Sequence, residues 1–120
     1  MRIEVEGSNP TADLESLRDW FAEVDELRGR VDEIQAPAGA DKLGPLLEAL
    51  SVAAGSGGVA AAVAASVIAW LRTRAGVVRV RVERPDGTKV SVDATSVRTL
   101  SPEAVRAQVE QLLSAIEPPR

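Results

Sequence analysis

Few side chains in this sequence of 120 residues are suited to catalysis. There is no histidine, the commonest general base and metal ligand. There is no cysteine, which excludes disulfides, thiolate nucleophiles and thiolate metal sites. Ser8, Ser51 and Ser56 have no imidazole to activate them, and no Gly-x-Ser-x-Gly elbow is present. We therefore expect a protein that is not an enzyme and that uses no cofactor.

Acidic side chains line one face of a helix predicted over residues 12–28. Asp19 and Glu23 are four residues apart, so they can share a helical face as paired carboxylates or metal ligands do. A site for a hard cation needs further convergent oxygen ligands, usually supplied by a dedicated loop. The sequence contains no such loop. We interpret these acids as a solvated helix face and predict no metal site.

A glycine-rich stretch at residues 55–60 matches the pattern Gly-x-Gly-x-x-Ala, which can hold a pyrophosphate at the start of a helix. That chemistry requires a strand before the glycines and an acidic residue about twenty positions later. Here the preceding residues have a helical pattern and the acid is missing. We interpret the glycines as a turn between two helices rather than a nucleotide site.

The composition is that of a globular protein, with 45% hydrophobic and 27% charged residues. We expect residues 1–120 to form a single domain. The net charge of −4 argues against nucleic acid as a partner, because phosphate binding needs clustered lysine and arginine. The charged, alternating N-terminus does not resemble a signal peptide, so we expect a cytoplasmic location.

The order of predicted elements indicates an α+β fold. Strands are predicted at residues 2–6, 30–35 and 77–84, and a return strand follows the turn at residues 85–88. The helix over 12–28 is capped by Asn9 or Thr11, and a last helix begins at Ser101-Pro102. The sequence predicts a mixed or antiparallel sheet of about four strands with amphipathic helices. The first strand–helix–strand unit would place its strands in parallel.

A central apolar segment, residues 43–73, contains only one acidic residue before its basic C-terminal end. It is predicted to form a helical hairpin, with helices over 43–54 and 59–73 joined by the glycines. Small residues recur at four-residue spacing along the second helix, a pattern that lets helices approach closely. The candidate residues for self-association or membrane contact are Leu46, Leu50, Gly58, Ala62, Val63, Ser66, Val67 and Trp70.

Three destinations for this segment remain open: a core, a self-association surface, or a membrane. Residues 58–71 would span about 21 Å as a helix, whereas a hydrocarbon core is about 30 Å thick. The segment is therefore too short for a conventional transmembrane helix. Trp70 beside Arg72 would nevertheless suit a membrane interface.

A basic cluster follows the apolar helix, and its candidate contact residues are Arg72, Arg74, Arg79 and Arg81. One interpretation is a solubilising sheet face. The alternative is attachment to an acidic partner or to an anionic membrane surface.

Several segments together resemble the effector-associated constant component family of bacterial conflict systems. The similar segments are the N-terminal strand and residues 13–20, 43–50, 69–74 and 84–88. The resemblance covers nearly the whole chain, and its motifs are structural rather than catalytic. It implies a non-enzymatic component of a bacterial defence system that is paired with a protease or a nucleotide-dependent switch protein.

Two hypotheses follow from the residues and the resemblance. In the first, activation exposes residues 43–71, and the protein forms a homo-oligomer that disrupts a membrane. In the second, the protein is a soluble adaptor that docks a protease or other effector through an exposed sheet edge or helix. An enzyme acting on a small molecule would need a pocket with convergent polar groups, for which the sequence offers no source.

Overall fold

The computed structural model describes residues 1–36, 46–53 and 58–117. Within these ranges the chain forms five strands and four α-helices, which confirms the predicted α+β class. The elements in chain order are β1 (Arg2–Glu6), α1 (Pro10–Ala22), β2 (Val31–Ala36), β3 (Leu46–Val52), α2 (Val59–Arg72), β4 (Arg79–Glu83), β5 (Lys89–Asp93), α3 (Ala94–Val97) and α4 (Pro102–Ile116).

The strands form one sheet in the order β2-β3-β1-β4-β5, and every neighbouring pair is antiparallel. β1 and β2 run in the same direction, as the first strand–helix–strand unit suggested, but β3 lies between them. The sheet therefore has five strands among the described residues rather than about four. The additional strand is β3, which places β2 at one edge of the sheet and β5 at the other.

β3 corrects the prediction of a helical hairpin. Leu46 and Leu50 were expected in a helix over 43–54, but both lie in this strand; residues 43–45 and the glycine turn at 55–57 lie outside the described residues. The register with β2 shifts at Glu48, so Leu47 and Leu50 are three residues apart and yet both lie in the core. This three-residue spacing imitates a helix. Ala49 is also fully buried, so β3 lacks simple alternation.

Helix starts follow the predicted capping residues. The Asn9 side chain accepts a hydrogen bond from the Ala12 amide, with Pro10 as the first helical residue. Ser101 caps α4 in the same way through the Ala104 amide. α1 ends at Ala22, well before the predicted end at residue 28, because the backbone is extended at Val24. A short 3-10 turn, Asp25–Leu27, then leads towards β2.

The helices pack against one face of the sheet, with α2 in the middle. α2 contacts α1 on one side, α3 and α4 on the other, and β4 beneath it. The strands present alternate apolar residues to this layer, and five of them are Ile3, Val5, Val80, Val82 and Val92. The opposite face of the sheet carries the intervening polar residues and has no helix on it among the described elements.

Because one side of α2 is buried and the other is exposed, substitutions on its two sides should change the free energy of unfolding by different amounts. Ile68→Ala should lower the free energy of unfolding by about 2–5 kcal/mol, because Ile68 is fully buried and its loss leaves a cavity. Ala65→Ser, on the exposed side of the same helix, should change it by no more than about 0.5 kcal/mol. Urea unfolding of both variants measures the difference. Equal effects would contradict the described orientation of α2.

Candidate functional site

Most of the predicted self-association residues lie inside the chain's own core. Val63, Val67 and Trp70 of α2 are fully buried, and Ser66 is nearly so. Leu50 of β3 is fully buried beneath the helical layer. The other candidates are distributed as follows: Leu46 lies in β3, Gly58 is the exposed N-cap of α2 with φ of +89°, and Ala62 is half-buried.

One narrow side of α2 faces solvent. Ala61, Ala65 and Ala69 are exposed at four-residue spacing, and Arg72 is exposed at the end of the helix. Gly58, Ala62 and Ser66 form another set of small residues at four-residue spacing. This set is not exposed along its whole length, because Ser66 lies in the core. The structure therefore presents a stripe of alanine methyl groups, hereafter the alanine stripe, rather than the large apolar side chains of the helix.

Trp70 is held at the junction between α1 and α2. Its indole Nε1 donates a hydrogen bond to the Ser16 Oγ at 3.1 Å. The Arg74 guanidinium lies 5.1 Å from the centre of the ring, within the range of a cation–π contact. Arg74 Nη1 also lies 3.4 Å from the same Ser16 oxygen and 3.7 Å from Asp13 Oδ1. These contacts fix the C-terminal end of α2 against α1.

The four candidate basic residues are divided between two surfaces. Arg72 is exposed, and its Nη2 donates to the Leu100 carbonyl oxygen at 3.2 Å, just before α4. Arg74 belongs to the junction with Trp70. Arg79 and Arg81 lie on the open face of the sheet, where acidic residues of β1 and β5 flank them. The structure therefore does not bring the four together as one basic patch.

An ion-pair ladder crosses the open face of the sheet, with charges alternating in sign. Its seven members, in spatial order, are Glu48, Arg2, Glu4, Arg81, Glu6, Arg79 and Asp93. Arg79 Nε donates to Asp93 Oδ1 at 2.7 Å, and this hydrogen bond raises the pKa of the Arg79 guanidinium. Arg81 contacts Glu4 and Glu6. Arg79 and Arg81, two of the four arginines predicted as a partner contact, are thus largely neutralised within the chain.

β2 leaves one side of its backbone unpaired among the described residues, because it pairs only with β3. The Ala53 amide donates to the Arg30 carbonyl oxygen. Arg30 and Ala53 are therefore a hydrogen-bonded pair of the two antiparallel strands. Because hydrogen-bonded and non-hydrogen-bonded pairs alternate along antiparallel strands, Asp32 and Ile34 bond to β3. The backbone N–H and C=O groups of Val31 and Glu33 therefore point outwards. We call this surface the β2 edge.

Acidic residues are concentrated in the segment that leads into β2, and β2 itself contains Asp32 and Glu33. Residues 13–33 contain eight acidic and three basic residues, a net charge of −5, whereas the whole chain has −4. Glu33 accepts a hydrogen bond from Arg18 of α1, and this contact raises the pKa of the Arg18 guanidinium. Asp32 is exposed and makes no ion pair within the described residues. Running charge counts along the sequence would have found this concentration, but not the edge itself.

Within residues 1–36, 46–53 and 58–117, no three acidic side chains come together closely enough to hold a metal ion. In the same ranges, no helix combines the length and the apolar character that crossing a membrane requires.

Comparison with known protein families identifies the family to which the chain belongs. A sequence model described as Effector Associated Constant Component 1 matches residues 6–113. The chain therefore belongs to this family, which confirms the resemblance noted from its motifs. Membership makes it a component of effector-associated conflict systems. No curated protein and no solved structure matched the chain.

The ion-pair ladder should contribute modestly to stability. Arg81→Gln removes the contacts with Glu4 and Glu6 and should lower the free energy of unfolding by about 0.2–1 kcal/mol at low salt. Screening should shrink the difference in 1 M NaCl. Arg106→Gln, at an exposed position of α4, is the matched control and should have little effect. A salt-independent loss at Arg81 would contradict the electrostatic account.

Proposed function

We propose that the protein is a non-enzymatic adaptor in an effector-associated conflict system. It acts in the cytoplasm and docks its associated protease or nucleotide-dependent switch protein through the β2 edge. The main support for this proposal is a contrast between two elements. The large side chains of α2 are buried in the core, whereas one side of the β2 backbone is unpaired among the described residues. The absence of histidine and cysteine from the sequence supports a role in binding rather than catalysis.

A free strand edge can bind another chain through main-chain hydrogen bonds. An extended segment that pairs with a sheet edge gains affinity from backbone contacts and specificity from alternate side chains. β2 offers the outward N–H and C=O groups of Val31 and Glu33 in a six-residue strand. The open sheet face is a poorer docking surface, because a partner would have to desolvate the ion-pair ladder.

Assembly through the large side chains of α2 would require much of the core to open. Five of these side chains, Val63, Val67, Ile68, Trp70 and Leu71, are fully buried. Burial of each is worth about 1.5–3 kcal/mol, or about 8–15 kcal/mol together. This matches the whole stability of a typical domain, about 5–15 kcal/mol. Exposure of α2 is therefore equivalent to unfolding, which favours docking at the edge.

The adaptor proposal is tested with the purified full chain and any protease or nucleotide-dependent switch protein whose gene neighbours its own. Size-exclusion chromatography with light scattering should show a complex. Glu33→Pro removes an outward N–H without removing a bond to β3, and it should weaken the complex at least about tenfold.

Two controls separate backbone docking from other effects of that substitution. Ser91→Pro places proline at the equivalent outward position of β5, on the opposite edge, and should leave binding unchanged. Glu33→Gln removes the charge but keeps the N–H, and it should bind more tightly than Glu33→Pro. Thermal unfolding by circular dichroism checks that each variant is folded. The absence of a complex, or equal losses in both proline variants, would contradict the proposal.

A second candidate function is self-assembly with membrane disruption, which the exposed alanine stripe favours. Small residues at four-residue spacing permit close packing of two helices. In this alternative, copies pair through Ala61, Ala65 and Ala69 after activation. Light scattering would then show an oligomer, vesicles with anionic lipid would leak, and Ala65→Glu would abolish both. A monomer that leaves such vesicles intact after activation would exclude this candidate.

A further inference from the structure

We infer that the segment bound at the β2 edge is a cationic β-strand, with a lysine or arginine placed opposite Asp32 and an apolar residue opposite Ile34. This inference rests on the proposed docking function and specifies its partner chemistry. The occupant is an extended segment of another protein rather than a second copy of this chain.

The register of the edge determines which side chains meet. A strand that hydrogen-bonds to Val31 and Glu33 places a non-hydrogen-bonded position opposite Asp32. At such positions in antiparallel pairs the Cα atoms are only about 4.5 Å apart, so the side chains are close. Asp32 is therefore the acidic residue that a bound strand contacts most directly. Asp32 is exposed and makes no ion pair among the described residues.

The two acids of this strand face opposite sides of the sheet. Asp32 pairs with Ser51 and lies on the open face, whereas Glu33 lies on the helical side and contacts Arg18. Opposite charges placed directly across two strands stabilise the pairing, and like charges destabilise it. Since Glu33 already has a cationic partner, Asp32 is the position that selects for charge.

Ile34 supplies the second element of recognition. It lies on the same open face two residues beyond Asp32, is half-buried and pairs with the fully buried Ala49. A bound antiparallel strand therefore places an apolar residue beside Ile34 and, two residues later in its own sequence, a basic residue beside Asp32. A second copy of β2 paired about Asp32 would bring the two Asp32 carboxylates together, whereas pairing about Val31 would set each Arg30 opposite Asp32 of the other copy. Dimerisation through β2 is therefore the competing outcome of the test.

The test uses two capped ten-residue peptides of alternating threonine and valine, in which one central valine is replaced by lysine or by glutamate, so that a valine lies two residues before the charged position. Binding to the isotopically labelled full chain is followed by NMR. The lysine peptide should shift and protect the amides of Val31 and Glu33, and it should bind about tenfold more tightly than the glutamate peptide. Raising NaCl from 0.05 to 0.5 M should reduce this preference.

Variants at Asp32 test the assigned contact. Asp32→Asn should lower affinity for the lysine peptide about two- to fivefold. Asp32→Lys should reverse the preference in favour of the glutamate peptide, an effect that a purely structural role would not produce. Glu110→Lys makes the same charge change at an exposed position of α4 and should preserve the original preference.

Several results would overturn the inference. They are equal affinity for the two peptides, binding of neither, protection of β5 instead of β2, or dimerisation of the chain through β2. Its failure can be told apart from failure of the proposed function. If the associated effector binds and Glu33→Pro weakens the complex, but Asp32→Lys does not, edge docking holds and the cationic assignment is wrong. If the effector does not bind at all, the adaptor function itself is wrong.

Discussion

The burial of α2 in the core determines how the other elements are arranged. A helix with apolar residues on nearly every side is stable in water only when other elements surround it. The sheet lies beneath α2, α1 and α4 flank it, and the Trp70–Ser16–Arg74 contacts fix its end. Only the alanine stripe and the terminal Arg72 of α2 remain exposed. The segment that looked most suited to assembly thus becomes the centre of the folded chain.

Placing all the helices on one face of the sheet determines which surfaces remain for function. The opposite face is covered by the ion-pair ladder, whose charges satisfy one another across β3, β1, β4 and β5. The remaining unpaired backbone described here lies on the two edge strands. Of these, β2 contains two acidic residues, and Asp32 makes no ion pair within the described ranges. The proposed docking at the β2 edge would use backbone groups that are unpaired among the described residues, and it would not disturb the core.

The sequence correctly predicted those features that neighbouring residues determine, such as helix starts and tight turns. Ser101 and Pro102 marked the start of α4, and Gly87 marked the hairpin turn, because capping and positive φ are decided by neighbouring residues. β3 was missed because the shift at Glu48 gives its leucines a helical spacing. The β2 edge depends on strand order, which arises from long-range pairing. The four candidate arginines are close in sequence, but Arg72 and Arg74 lie at the end of α2, whereas Arg79 and Arg81 lie beyond the turn on the open face of the sheet.

We propose that partner binding engages the β2 edge while α2 stays in the core. Hydrogen–deuterium exchange of the full chain, alone and in complex with an effector that it binds, distinguishes this arrangement from opening of the core. We predict new protection in residues 31–35 and unchanged, high protection throughout α2. Loss of protection in α2 on binding, with no change in β2, would contradict the account and would favour an effector that opens its core to assemble.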